Sequence, residues 1–297
     1  MAAEPDVGAA YAHCLRRASA HYENFPVASR LLPRPLREPV AAIYCFARDA
    51  DDLADEDPRP VFARRDALQA MQARVRALGD PLAESEPEWR ALADTVNRFN
   101  LPSAPFIDLV DAFIQDLEQT RYADFGMVMN YCRRSANPVG RLLLHLAGKT
   151  EAQDLACSDA VCSALQLINF HQDLHQDYVE HGRIYIPLDE MAAHGVTETH
   201  FRDRISDFRM RNLMLAQYQR ADRMLRAGAP LGRSLPGRLG LEIRAIIHGG
   251  ARVLWRLRQQ SDVFARPRLR KVDWLWIIAR SLVPARRPTD RRPDRAA

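Results

Sequence analysis

Several common protein classes are excluded by what this 297-residue chain lacks. Its five cysteines (14, 45, 132, 157 and 162) form no C-x-x-C pair, so a disulfide framework is excluded and reduced thiols of a cytoplasmic protein are expected. The opening Met1-Ala2-Ala3-Glu4-Pro5-Asp6 is acidic and has no apolar run, unlike a secretory signal. No stretch of about eighteen apolar residues occurs, so no membrane-spanning helix is expected. No Walker loop, G-x-G-x-x-G, H-E-x-x-H or G-x-S-x-G is present, which removes the usual nucleotide, zinc-protease and serine-hydrolase signatures. Runs of alternating apolar and polar residues are also missing, which leaves an all-α protein without a parallel or antiparallel sheet.

What the chain does have is helical periodicity and an ordinary globular balance, 47% hydrophobic and 27% charged. The spacing predicts helices near 8–20, 36–55, 61–79, 86–99, 103–120, 124–147, 158–180, 198–227, 236–261 and 271–282, with an irregular stretch at 188–196. Pro138 lies inside the 124–147 pattern and predicts a kink or break there. No internal repeat or linker divides the chain, and one domain spanning 1–297 is expected. Charge is uneven: from Phe264 onward there are ten Lys and Arg against three Asp, leaving the rest net negative. This basic end (284–297), next to Trp274-Leu275-Trp276-Ile277-Ile278, suits either a peripheral contact with an anionic membrane or a solvated terminal helix and tail. No nucleic-acid partner is expected.

Two stretches carry the chemistry. Arg48-Asp49-Ala50-Asp51-Asp52-Leu53-Ala54-Asp55 and Asn169-Phe170-His171-Gln172-Asp173-Leu174-His175-Gln176-Asp177 each contain a D-x-x-x-D pair. A spacing of four puts both carboxylates on one helix face. The apolar stripe Val40, Ile43, Tyr44 and Ala47 runs on into Asp51 and Asp55, whereas a solvated acidic face should lie opposite such a stripe. Asn169, Asp173 and Asp177 stack in the same way. Facing acids need a cation between them, and hard oxygen ligands suit Mg²⁺, which completes its shell with substrate phosphates. Other metal readings are weaker. The run from Asp49 resembles an EF-hand opening but has Ala54 and Pro60 where Gly and Glu are required, and His171 and His175 project away from the acid face. Arg48, one turn before the first pair, could clamp a phosphate or pair with the acids. Tyr131 and Tyr185 could shape a pocket or serve as core aromatics.

Together these residues resemble the squalene and phytoene synthase family of head-to-head isoprenyl diphosphate synthases. The markers are H-Y-x-N-F-P at 21–26, the A-I-Y-x-F-A-R-x-A-D-D-L-A-D run ending at Asp55, Tyr131-Cys132, N-F-H-Q-D-L-H-Q-D at 169–177 and G-R-I-Y-I-P at 182–187. The resemblance implies an isoprenoid-synthase-type helical bundle around a deep central apolar cavity. Asp51, Asp55, Asn169, Asp173 and Asp177 would be the Mg²⁺ ligands. His21, Tyr22, Asn24, Tyr44, Arg48, Gln166, Gln172, Arg183 and Tyr185 would hold the isoprenyl diphosphate, and Tyr131 would steer a carbocation. Within the family the chain is similar to the hydroxysqualene synthase branch of hopanoid biosynthesis, whose mark is the Y-C-R-R-S-A-N-P-V-G-R-L run at 131–142. That likeness implies conversion of presqualene diphosphate to hydroxysqualene, coupled to a presqualene diphosphate synthase upstream and a hydroxysqualene reductase downstream. Head-to-head condensation of farnesyl or geranylgeranyl diphosphate is the alternative, and a non-catalytic helical assembly protein the more distant one. Asn137 could position the water that quenches the cation, or could cap the kinked helix. Gly249-Gly250 replaces a bulkier residue common in relatives and could widen the cavity.

Overall fold

The computed structural model describes residues 6–20 and 31–282. These form fifteen α-helices and one 3₁₀ turn (Pro81–Ala83), and no strand occurs among the described residues. The helices are α1 (Val7–Ala20), α2 (Arg34–Asp55), α3 (Val61–Arg76), α4 (Pro87–Phe99), α5 (Ala104–Asp116), α6 (Phe125–Ser135), α7 (Asn137–Leu146) and α8 (Ala152–Gln172). Then follow α9 (Leu174–His181), α10 (Leu188–Ala193), α11 (Glu198–Arg202), α12 (Phe208–Gly228), α13 (Leu231–Ser234), α14 (Gly237–Gln259) and α15 (Lys271–Leu282).

Helix α8 is the axis of the assembly because it is apolar on nearly every side. Val161, Ala164, Leu167, Ile168 and Phe170 are all buried, and α6, α7, α12, α13 and α14 pack around it. Three glycines allow close approaches to it, and a Cβ on the first, Gly140 of α7, would sit 2.3 Å from Ser158 Oγ. A Cβ on Gly228 of α12 would sit 2.5 Å from the Cys157 carbonyl oxygen, and one on Gly250 of α14 would sit 2.7 Å from Leu165. Gly250 therefore brings helices together, which corrects the expectation that it widens a cavity. Helix α2 buries Leu36, Ile43, Phe46, Ala50 and Ala54 along a helical stripe, and the Phe46 ring meets Trp89 and Phe106 edge-on at 5.8 and 5.3 Å. The main apolar cluster runs from Leu32 to Phe264, and a smaller one joins α1, α2 and α4.

Several predicted helices are broken where the site requires it. The 124–147 pattern is two helices meeting at Ala136, with Asn137 and Pro138 opening α7, since Pro at the start of a helix forfeits no hydrogen bond. The 158–180 pattern begins earlier, at Ala152, and breaks at Asp173 (φ −106°, ψ 15°), so Asp177 lies on a separate short helix. The stretch at 188–196 contains α10, and 198–227 divides into α11 and α12.

Candidate active site

Helices α2 and α8 turn their acids toward one cavity of about 310 Å³. α2 contributes Asp51 and Asp55, α8 contributes Gln166, Asn169 and Phe170, and Asp173 and Asp177 follow across the break. Phe113 and Asp116 of α5, Tyr131 and Ser135 of α6, and Arg183 and Tyr185 complete the wall. The last two are placed by a turn. Gly182, at φ +64°, ends α9 in the left-handed region that favours glycine. The segment after it is then pinned: Arg183 N–H donates to Asp177 O (2.9 Å), Ile184 N–H to Thr120 O (3.0 Å) and Leu188 N–H to Tyr122 O (2.9 Å).

Charge at this cavity is dominated by carboxylates. Arg183, 7% exposed, donates to both Asp55 oxygens (3.0 and 2.5 Å) and to the main-chain oxygen of Asp116 (3.1 Å). Arg266 pairs with Asp173 at 2.5 Å. Burial pushes the Asp177 carboxyl up to about 8, with repulsion from Asp173 adding to it. Burial likewise raises Asp116 to about 7, opposed by Arg183 and by the Tyr131 hydroxyl, which donates to Asp116 Oδ2 at 2.5 Å. Above Tyr131 the rings form a box: Phe170 and Tyr185 stack at 3.7 Å, and Tyr131 lies 6.0 and 5.5 Å from them.

Oxygen-only donors in a buried, acid-rich cleft fit a hard divalent cation and not zinc. Among the described residues no three His, Cys, Asp or Glu side chains share a metal-binding arrangement. Asp55 and Asp173 are instead turned onto Arg183 and Arg266, which supply the positive charge.

The other sequence candidates are distributed differently. Arg48 does not line this cavity; it is engaged by Asp51 (3.1 Å), Asp52 (2.6 Å) and Glu56 (2.8 Å). Tyr44 packs on the small cluster between α1, α2 and α4, and Gln172 donates to the Pro267 carbonyl at 2.7 Å; neither lines the cavity. Asn137 is buried away from it. Its side-chain oxygen accepts from Ser163 at 2.8 Å, and it makes no cap bond for α7. His21, Tyr22 and Asn24 lie outside the described residues. His171 is buried edge-on against Tyr218, and burial lowers it to about 3. A larger cavity of about 670 Å³, on the opposite side of α2, is lined by Asp49, Asp52, Glu56 and Asp57. It receives nothing from the 169–177 motif, so the smaller cavity is the one both motifs share.

Sequence reasoning missed Asp116, Ser135, Phe113 and Phe170 as cavity groups, and Arg266 as the partner of Asp173. Asp116 carried a usable signal, because the α5 stripe Phe106, Leu109, Val110 and Phe113 runs into it, as the α2 stripe runs into Asp51. Arg266 carried none, since it reaches Asp173 across 93 residues.

A helical bundle with two acid motifs converging on one cavity is the isoprenoid-synthase type of fold. The squalene/phytoene synthase family model matches residues 18–275, and the chain belongs to that family. It is 32% identical over 263 residues to the hydroxysqualene synthase of Rhodopseudomonas palustris, covering 88% of each chain. It is 30% identical over 284 residues to the phytoene synthase of Thermus thermophilus, covering 94% of each. The crystal structure of a squalene synthase from Alicyclobacillus acidocaldarius superposes with a TM-score of 0.80 at 33% identity, over 86% of this chain and 95% of that one.

Proposed function

We propose that this chain is a single-domain, Mg²⁺-dependent enzyme that converts presqualene diphosphate to hydroxysqualene and diphosphate. The observation that carries the reading is the meeting of both acid motifs, Arg183 and an aromatic box in one cavity. A hydroxysqualene synthase relative aligned over 88% of the chain supports the choice of reaction. Asp51, Asp55, Asn169, Asp173 and Asp177 would hold the metal, which would neutralise the leaving diphosphate as the C–O bond breaks. Arg183 and Arg266 can exchange carboxylate for phosphate partners, because a guanidinium binds either in the same forked geometry. The faces of Tyr131, Phe170 and Tyr185 stabilise positive charge and keep bulk water from it. Ionisation needs no general acid.

A second reading, head-to-head condensation, is kept alive by the phytoene synthase relative at similar identity. The test is incubation with Mg²⁺ and either presqualene diphosphate or farnesyl diphosphate, with products identified by mass spectrometry. Hydroxysqualene from the first substrate alone supports the lyase. Presqualene diphosphate or a hydrocarbon from the second selects condensation, and an upstream synthase and a downstream reductase are partners only in the first case.

Cytoplasmic residence with peripheral contact to an anionic lipid surface is also proposed, from the inverted pattern of α15. Its buried residues include Asp273 and Ser281, with Asp273 held by Arg252 (2.6 Å) and Arg256 (2.8 Å), while Val272, Leu275, Trp276, Ile278 and Leu282 face outward. Arg268, Arg270, Lys271 and Arg280 around this stripe are exposed. A second copy would set this basic rim against itself, whereas anionic headgroups complement it. No described helix is long and apolar enough to cross a membrane. Flotation with phosphatidylglycerol vesicles at low salt should capture the protein, and Leu275→Glu with Ile278→Glu should abolish capture. Equal capture of the variant, or loss of a dimer instead, overturns the lipid reading.

A further inference from the structure

If the product is an alcohol, the cavity must deliver one water to a carbocation while excluding the rest. Water adds only where polar groups hold it, and a buried polar atom without a partner marks such a place. Apart from Nε of Arg183, whose other nitrogens are taken by Asp55 and Asp116, two atoms of this kind belong to the shared cavity and to neither acid motif. Asp116 is 7% exposed; its Oδ2 accepts from Tyr131, while its Oδ1 has no hydrogen-bond partner among the described residues. Ser135 Oγ, one turn after Tyr131 on α6, is likewise buried without a partner among them. Both side chains line the cavity beside the aromatic box.

Asp116 is set apart from the motif acids by Arg183, which bonds Asp55 through both oxygens and touches Asp116 only at its main-chain oxygen. Its free carboxylate oxygen is thus not consumed by the arginine that faces the diphosphate side. Asn137, the amide first suspected of holding water, spends its oxygen on Ser163 and does not line the cavity.

We propose that Ser135 and Asp116 form the water site of this enzyme, with Ser135 orienting the water and Asp116 removing its proton. The proposal rests on the hydroxysqualene reading above. The step balances as follows: an oxygen lone pair of water forms the new C–O bond to the cation, one O–H bond breaks, and the proton passes to Asp116 Oδ1. The neutral alcohol remains, and the diphosphate has already left with the electrons of the original C–O bond. When no water is held there, the cation instead loses a carbon-bound proton and yields a hydrocarbon.

The test is the ratio of alcohol to hydrocarbon formed from presqualene diphosphate, which is independent of how much active enzyme is present. Ser135→Ala should lower that ratio about three- to tenfold, the worth of one neutral hydrogen bond. Ser135→Thr, which keeps a hydroxyl, should restore most of it. Asp116→Asn keeps the size and an acceptor for Tyr131 but cannot take a proton, so it should lower the ratio further. Asn137→Ala should leave it unchanged. A ratio unaltered in both Ser135→Ala and Asp116→Asn overturns the water site while leaving the hydroxysqualene reading intact. A wild-type enzyme that makes no alcohol from presqualene diphosphate overturns that reading, and the water site with it.

Discussion

Replacing Arg183 by Met tests the electrostatic logic of the cavity directly. The guanidinium is nearly buried and makes three hydrogen bonds, two of them to Asp55, which is itself only partly exposed. Met fills similar volume, so the loss is one of charge and hydrogen bonding. Each charge-assisted bond contributes about 1.5–3 kcal/mol, and removing one partner of a buried pair costs about 3–5 kcal/mol. Residual solvent access at Asp55 discounts this toward the lower end, about 3 kcal/mol. The penalty arises from a stranded carboxylate, so Asp55→Asn in the Arg183→Met background should recover about half of it. Urea unfolding of the wild type, both single variants and the double variant, without Mg²⁺, measures the coupling. A loss below about 1 kcal/mol for Arg183→Met would refute the reasoning, as would strict additivity of the two changes.

Three further outcomes follow from the same geometry. Asp173→Ala should abolish turnover while retaining the helical circular dichroism spectrum; retained turnover would remove it from the metal set. Asp177 and Asp116 hold their protons to about 8 and about 7 in the folded chain, against about 3.9 when unfolded. Folded protein therefore binds more protons across that window, and the contribution of these two groups to metal-free stability should fall as pH rises from about 4 to about 8. Mg²⁺ should cancel the fall and release protons on binding, measurable as a buffer-dependent heat in calorimetry. Gly250→Ala should cost about 1–3 kcal/mol, because its Cβ would lie 2.7 Å from Leu165 and 3.4 Å from both Ile168 and Leu225. If Gly250 served to widen the cavity, the same change would alter product chain length and leave the unfolding midpoint in place.

The helical class and the location of the acid motifs were legible in the chain itself. Asp51 and Asp55 could be read because they continue an apolar stripe, and the period of a helix reports which residues share a face. The same signal lay in Phe113 followed by Asp116 and went unread because a lone acid has no second carboxylate to draw notice. The break at Asp173 was invisible, since neither proline nor glycine marks it. Tertiary structure alone decided which groups meet. Arg183 reaches Asp55 across 128 residues and Arg266 reaches Asp173 across 93, whereas the pairing of Arg48 with Asp51 and Asp52 on its own helix is local. Periodicity assigns a face to each helix, but which helix stands opposite, and which cation therefore pairs with which acid, depends on how the described helices pack against one another.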